Sequence, residues 1–178
     1  HGLIITSNNE AEIILLTEYV LDKIEKYFRI EMRSYKLTNA ISQLFSSFEE
    51  SSNVSYLSGD MILNQQLKKN IKLFFKTPFC PDTYVYCGLT PVIIKSVSEE
   101  EAIRAYQMKH HELPKVIIHK ENILFRAPSI KKAREIEEVL KFHIMVLEQN
   151  KEEQLEFLET EELNYLSNWE AEKYRQKL

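Results

Sequence analysis

The residues best suited to chemistry stand at the start of the sequence, where His1 and Gly2 precede the apolar run Leu3-Ile4-Ile5. An imidazole at the beginning of a strand, followed by glycine, can present a ring nitrogen to a metal ion with little steric crowding. His1 is therefore a candidate metal ligand, and we expect it at a strand end that faces a cleft. A purification-tag remnant leaves the same two residues, and the local pattern does not separate these interpretations.

The other histidines fit structural roles better than metal binding. His110 and His111 are neighbours at the end of a predicted helix, so their side chains diverge by about 100° and cannot easily hold one ion. His143 lies on an apolar helical stripe, which is typical of a hydrogen-bonded histidine in a core. His119 ends a predicted strand and can reach a cleft, but nothing in the sequence supplies its partner.

The two cysteines and their neighbours also favour structural roles. Cys80 and Cys87 are the only cysteines, too few for a disulfide framework or for a metal site of their own, so we expect free, partly buried thiols. Asp82 follows a proline, and its carboxylate is predicted to accept bonds from backbone N–H groups in a turn. Tyr84 and Tyr86 are predicted to share one face of a strand, where packing is their expected role.

Composition excludes several classes of partner. The sequence of 178 residues is 44% hydrophobic and 28% charged with only three glycines, which is typical of a folded chain rather than a disordered one. The net charge of −4 is spread over a mixed surface, so nucleic acid and anionic membranes are not expected partners. The apolar runs are much shorter than the roughly 20 residues needed to cross a bilayer, and no secretory signal is visible. We therefore expect a cytoplasmic protein.

The elements that must position these residues begin with two helices. The first seven residues are predicted to form a short strand, and Asn8 or Asn9 to cap a helix from Ala11 to about Met32. A second helix is predicted from about Lys36 to Phe48.

A polar, serine-rich run from Ser46 to Asn53 lacks periodicity and is the best candidate linker. We therefore predict two domains, residues 1–48 and 49–178. In the second, the spacing of Leu63 to Phe74 predicts a helix that ends before a proline.

The hydrophobic period then changes. Thr83 to Cys87 and Pro91 to Ile94 are β-branched and aromatic, so they are predicted to be two strands joined by a tight connection. Ser98 and Glu101 are predicted to form a capping box at the start of a helix that ends near His111.

Two more strands and two more helices follow. Lys115 to His119 and Ile123 to Arg126 are predicted strands, and Ser129 is predicted to cap a helix. One face of this helix carries Ala133, Ile136, Leu140, His143 and Leu147. A last helix with Glu161 and Glu162 in its first turn is predicted to dock through Leu163, Leu166 and Trp169. The predicted fold is α/β, with a strand and long helices followed by a small mixed sheet of about four strands flanked by helices.

Four stretches of this sequence resemble proteins of the class II aldolase/adducin family. His1-Gly2-Leu3-Ile4-Ile5-Thr6, followed by a long helix, resembles their asparagine-histidine-glycine segment. Thr77-Pro78-Phe79-Cys80-Pro81-Asp82, with Pro91 to Ile94, resembles the second half of longer members, in which a proline-aspartate pair precedes two strands. Pro114 through Phe125 to Ala133 is similar to their next strand, turn and helix, and Asn168 to Arg175 to the tail of bacterial relatives.

The resemblance implies a zinc-dependent lyase or epimerase of carbohydrate metabolism, which acts on a sugar or sugar phosphate by retro-aldol chemistry. His1 would be the third zinc ligand, whereas the other two histidines and an acid/base glutamate would lie upstream. This chain is therefore expected to be the C-terminal part of its parent and inactive alone. A homo-oligomer is left open, with Tyr174 reaching a neighbouring subunit's site. The alternative is a non-catalytic, adducin-like interaction or assembly module.

Two positions depart from the family's pattern. Longer relatives tend to have histidine after the proline-aspartate pair, where this chain has Thr83. They have a glycine-rich turn where this chain has Lys120-Glu121-Asn122. Since a phosphate-cradling loop needs glycine for close backbone approach, that role is not expected for this turn.

Overall fold

The computed structural model of the protein describes residues 3–48, 53–150 and 154–168. The chain divides into two compact units, His1–Leu37 and Thr38–Leu178. The described residues form seven α-helices and one four-stranded mixed sheet, so the fold is of the mixed α/β class. None of the described helices combines the length and the apolar composition needed to span a membrane.

The first unit contains helix α1 (Glu10–Phe28) and the start of helix α2 (Arg33–Ser46). The side chain of Asn9 caps α1, as predicted, by accepting a hydrogen bond from the N–H of Ala11. At the other end, the Glu25 carboxylate accepts hydrogen bonds from the Met32 N–H at 2.6 Å and the Lys36 ammonium at 2.7 Å. These bonds hold the turn between the two helices.

The described part of the strand predicted for the first seven residues, Leu3 to Ser7, adopts no regular structure, whereas His1 and Gly2 lie outside the described residues. A strand is stable only when its backbone groups pair with a neighbour, and every described strand lies between Val54 and Ala127. The prediction of two domains, residues 1–48 and 49–178, stays a prediction.

The second unit contains the sheet and most of the helices. Its elements after α2 are β1 (Val54–Leu57), α3 (Met61–Lys69), a 3-10 helix (Ile71–Phe75), α4 (Pro81–Cys87), β2 (Val92–Ile94), α5 (Glu100–His110), β3 (Val116–His119), β4 (Asn122–Ala127), α6 (Ile130–Gln149) and α7 (Thr160–Asn168).

The sheet has the strand order β1-β4-β3-β2. Strand β4 pairs antiparallel with β1 and β3, whereas β2 pairs parallel with β3. The antiparallel β3-β4 pair is a hairpin whose turn places Lys120 in the left-handed region, with φ 56°. Because parallel strands need a crossover, α5 connects β2 to β3.

Both faces of the sheet are covered, so β3 is buried along its whole length. Helices α3 and α6 pack on one face, where they enclose Val116, Ile118, Ile123, Phe125 and Ala127. The opposite face carries alternate residues such as Ile117 and Leu124. Helix α2 reaches that face, since Ser42 Oγ accepts a hydrogen bond from the Ser55 N–H.

The predicted strand from Thr83 to Cys87 is wrong, because these residues belong to helix α4. The helix begins with Pro81, follows an extended Cys80, has Asp82 in its first turn and ends at Gly88. Proline at the first position and an acid in the first turn both favour a helix start. These signals outweigh the β-propensity of the aromatic and β-branched residues between them.

Two smaller errors concern turns and short strands. The predicted capping box is absent, since α5 begins at Glu100 and neither Ser98 nor Glu101 caps it. Instead, the carboxylate of Glu99, the residue next to the helix start, accepts a hydrogen bond from the Lys95 N–H. Strand β1 was not predicted, because it directly follows the serine-rich segment.

The C-terminal half of the sheet region follows the prediction. Strands β3 and β4 and the hairpin between them lie within a residue or two of the expected positions. Ser129 caps α6 by accepting a hydrogen bond from the Lys132 N–H at 3.2 Å. The predicted apolar face of α6 is buried at all its positions, Ala133, Ile136, Leu140, His143 and Leu147.

Candidate functional site

The predicted metal ligand, His1, lies outside the described residues, and so does Tyr174. Across the parts of the chain that the structure does describe, no group of three His, Cys, Asp or Glu side chains could hold a metal ion. The described residues therefore provide no zinc site of their own. Any zinc bound through His1 needs its other ligands from elsewhere.

The two thiols are free, as expected. Cys80 Sγ lies 3.1 Å from Thr83 Oγ1, one helical turn ahead in α4. Cys87 is buried against α6, and this burial raises the pKa of its thiol far above the usual range. A thiol held in its neutral form is a poor nucleophile and a poor metal ligand. Cys87 is therefore a packing residue.

His143 is a core histidine, as its position on an apolar stripe predicted. Only 2% of its surface is exposed, and its ring stacks on Phe79 at 5.0 Å between centroids. Burial lowers the pKa of His143 to about 4, although a hydrogen bond to the Lys76 backbone opposes the shift. The Nδ1 atom has no partner among the described residues, so the bond to Lys76 is made by Nε2. The ring is neutral near pH 7.

His119 has the partner that the sequence could not supply. Its Nδ1 lies 3.0 Å from the carbonyl oxygen of Ile94, across the parallel β2-β3 pair. His110 and His111 lie at the end of α5, as expected, with His111 in the left-handed conformation that terminates the helix. The structure brings none of these histidines together with another candidate ligand.

Asp82 and the two tyrosines differ from their predicted arrangement. Asp82 is an exposed residue in the first turn of α4 rather than part of an isolated turn. Tyr84 and Tyr86 lie on a helix, where residues two apart point about 200° from each other, so they do not share a face.

Several shifted pKa values occur together in a cluster that the sequence did not reveal. This Glu112 cluster consists of Tyr106, Glu112, Lys115 and Arg126, from α5, the following loop and the adjoining ends of β3 and β4. Desolvation raises the pKa of the Glu112 carboxyl, although the positive charges of Lys115 and Arg126 oppose this. Desolvation lowers the pKa of the Lys115 amine, against the attraction of Glu112.

Hydrogen bonds to backbone carbonyls fix most of the cluster. Lys115 Nζ donates to the carbonyl of Val85 in the last turn of α4 at 2.6 Å. The Tyr106 hydroxyl donates to Thr90 at 2.8 Å, and burial raises the pKa of that hydroxyl far above its usual range. Arg126 Nε donates to Pro114 at 3.0 Å. These donors tie α4, α5 and the sheet together.

In this cluster the pKa of the Glu112 carboxyl is raised and the pKa of the Lys115 amine is lowered. Each group is shifted towards its uncharged form by the same loss of solvent. Such a pair can exchange a proton with a bound group, but its surroundings also fit a structural role at the end of α4. Sequence patterns could not find it, because its members come together only through tertiary packing. The one local signal is the presence of Glu112 and Lys115 on either side of Pro114, just before a buried strand.

A groove of about 640 Å³ lies between α4 and the first half of α6. A cavity of about 10 Å³ next to His143 has room for no more than a single water molecule. The groove, unlike this cavity, has the volume to take a ligand or a segment of chain.

Comparisons of the chain with models of protein families, with curated proteins and with solved structures found no match. Function is therefore inferred from the residues and their geometry.

Proposed function

We propose that this chain is the C-terminal portion of a class II aldolase/adducin-like protein of the cytoplasm. The parent protein would be a zinc-dependent aldolase or epimerase that cleaves or rearranges a sugar or sugar phosphate by retro-aldol chemistry. His1 would be one of its zinc ligands. The described part of the chain would form the lobe attached to that site.

The opening segment carries this proposal. His1-Gly2-Leu3-Ile4-Ile5-Thr6 resembles the zinc-ligand segment of that family, which a long helix follows. In this chain the 19-residue helix α1 follows, with its start fixed by the Asn9 cap. The order of β3, β4 and α6 also agrees with the resemblance of Pro114 to Ala133. The segment around Pro81-Asp82 adds no support, because a helix follows it where the relatives have a strand.

Zinc in such a site would polarise the carbonyl and hydroxyl oxygens of the substrate. His1 is the only residue of this chain that the proposal assigns to the metal, since the described residues hold no ligand group. We assign no step of this reaction to the Glu112 cluster.

The test is retro-aldol activity in the full-length protein that contains this chain. We expect release of a carbonyl product from a panel of sugar phosphates and free sugars. We expect His1→Ala to lower kcat/KM by at least about 100-fold, because three protein ligands are needed to hold a catalytic zinc. His111→Asn is the matched control, since His111 is exposed and asparagine tolerates its left-handed conformation. Equal activity in the two variants would contradict the role of His1.

A second candidate, a non-catalytic assembly module, is favoured by helix α1. None of its residues is buried, and its large exposed apolar side chains are Ile14, Leu15, Leu16, Tyr19, Tyr27 and Phe28. Exposed apolar surface of this kind is typical of an interaction site. In this case Leu15→Glu would change the sedimentation coefficient of the full-length protein, whereas His1→Ala would change no measured property.

A further inference from the structure

The first compact unit, His1–Leu37, carries much of the exposed apolar surface of the described chain. Ten of the nineteen large apolar side chains that are exposed among the described residues belong to it. None of the residues of α1 is buried. Most of the stability of a protein helix comes from packing of its apolar side. The exposed apolar surface of α1 therefore predicts a contact that covers it.

The exposed side of α1 forms a continuous stripe. With 100° per residue, seven exposed residues fall within an arc of about 120°. They are Glu12, Leu15, Leu16, Tyr19, Lys23, Lys26 and Tyr27, and we call them the α1 stripe. Five half-buried residues lie on a different side of the helix, namely Ile13, Thr17, Val20, Leu21 and Ile24. Within the stripe, Leu15 is 65% and Tyr19 is 59% exposed, and Lys23 Nζ lies 5.2 Å from the centre of the Tyr19 ring.

The charges of α1 are segregated along its length. The first half contains three acids and no basic residue, namely Glu10, Glu12 and Glu18. The second half has two acids, and Lys36 Nζ lies 3.5 and 2.7 Å from their carboxylates. Three further basic residues make this end of the helix positive, namely Lys23, Lys26 and the cap residue Arg29. An antiparallel contact between two copies of α1 therefore brings opposite charges together, whereas an anionic membrane would repel the acidic half.

Tyr19 lies at the centre of this pattern. Glu12 and Lys26 lie seven residues before and after it, so the three residues follow one line along the helix to within about 20° per seven residues. In an antiparallel pair with its twofold axis at Tyr19, Glu12 of each copy lies opposite Lys26 of the other. Glu12 accepts a hydrogen bond from Ser7 Oγ, which leaves its charge uncompensated. Within the described residues no ion pair involves Glu12 or Lys26, so both charges are available to a second copy.

We propose that α1 packs antiparallel against α1 of a second copy of this chain, through the α1 stripe and about a twofold axis at Tyr19. The side chains of Leu15, Leu16 and Tyr19 form the apolar centre of the contact, and two Glu12–Lys26 pairs fix its direction. The same patch of both copies takes part, as in most dimers. The proposal goes beyond both candidate functions, because the contact involves no metal or substrate and can occur in an enzyme as well as in an assembly module.

Disulfide cross-linking tests the position of the axis. A residue on a twofold axis lies close to the same residue of the partner, so Tyr19→Cys in the full-length protein that contains this chain should give a disulfide-linked dimer on mild oxidation. The matched control is Glu18→Cys, because Glu18 is exposed and points about 100° away from Tyr19. Both variants keep Cys80 and Cys87, so any dimer formed through these thiols appears equally in both. We expect several-fold more dimer in Tyr19→Cys than in the control.

Charge reversal tests the direction of packing. Glu12→Lys and Lys26→Glu should each raise the Kd of self-association by about 10-fold, since two attractive pairs become two repulsive ones. The double variant Glu12→Lys/Lys26→Glu should return the Kd to that of the wild type. Because both reversals oppose the helix macrodipole, recovery in the double variant cannot come from a more stable helix. Sedimentation equilibrium measures each Kd, and Glu18→Lys, in the same half of α1 but off the stripe, is the control that should leave it unchanged.

Three results would overturn the proposal. The first is a monomeric protein, which would mean that another part of the same protein covers α1. The second is equal cross-linking of Tyr19→Cys and Glu18→Cys. The third is a double charge variant that associates no more tightly than the single variants, which would mean that the helices do not pack antiparallel about Tyr19. None of these results depends on whether the protein binds zinc.

Discussion

Single residues of this protein show how burial, rather than charge pairing, sets ionisation. His143, a residue of α6, is neutral because it is buried, with its ring stacked on Phe79. Glu112 and Lys115 attract each other, yet each has a pKa shifted towards its neutral form, since the loss of water costs more than the attraction returns. The sequence predicted the core position of His143 from its apolar stripe. It could not predict Glu112, whose neighbours come from distant segments.

The lowered pKa of His143 predicts acid lability. The pKa in the folded chain is about 4 against 6.5 for an ordinary histidine, so the unfolded chain takes up the proton first as the pH falls. The free energy of unfolding should therefore decrease by about 3 kcal/mol between pH 6.5 and pH 4 through this residue. In His143→Gln, which can still donate to the Lys76 carbonyl but does not titrate, that part of the decrease should vanish. Urea denaturation of the wild type and of His143→Gln at several pH values measures it.

The raised pKa of Glu112 predicts an effect of opposite sign. The folded chain holds this proton more tightly, so the stability that it contributes is present below pH 4.5 and is lost as the pH rises through the raised pKa. The net shift already includes the attraction of Lys115 and Arg126. Glu112→Gln should therefore raise the free energy of unfolding at pH 7. A clear loss of stability would mean that the ion pairs outweigh desolvation.

At the scale of elements, helix α4 shows where local patterns mislead. Five β-branched, aromatic and cysteine residues from Thr83 to Cys87 favour a strand by propensity. The termini decide otherwise, because Pro81 starts a helix and Gly88 ends it. The sheet has four strands, as expected, because strand β1, which was not predicted, offsets the wrong strand from Thr83 to Cys87. The further strand predicted at the start of the chain is absent from Leu3 to Ser7. Helix α6, which has a cap and a long apolar periodicity, was predicted well, whereas α1 begins as predicted but ends at Phe28 rather than near Met32.

Gly88 ends α4 and closes the Glu112 cluster. Its φ is 76°, and a Cβ atom there would lie 3.2 Å from Glu112 Oε1 and 3.5 Å from the Tyr106 hydroxyl. Gly88→Ala should therefore lower the free energy of unfolding by about 1–3 kcal/mol. Gly59→Ala is the matched control, since a Cβ at Gly59 meets nothing within 4 Å, and it should change stability by less than about 1 kcal/mol. Urea denaturation of both variants would show the difference, and equal effects would contradict it.

At the scale of the whole molecule, the sequence predicted the α/β class, the β3-β4 hairpin and the helix that packs on it. It did so because these segments carry strong local signals and adjoin each other along the chain. The Glu112 cluster and the α4–α6 groove depend on packing between distant segments, so no local sequence pattern predicts them. The proposed zinc site, in contrast, was inferred from sequence alone, namely from His1 and its neighbours. The structure describes neither His1 nor Gly2.

Zinc content tests the proposed function most directly. The full-length protein that contains this chain, purified without chelator, should hold about one zinc per chain by elemental analysis. His1→Ala should lower that content well below one, and His111→Asn should leave it unchanged. Anomalous diffraction at the zinc edge should place the ion on a ring nitrogen of His1. A protein without bound zinc, or one that keeps its zinc in His1→Ala, would contradict the proposal.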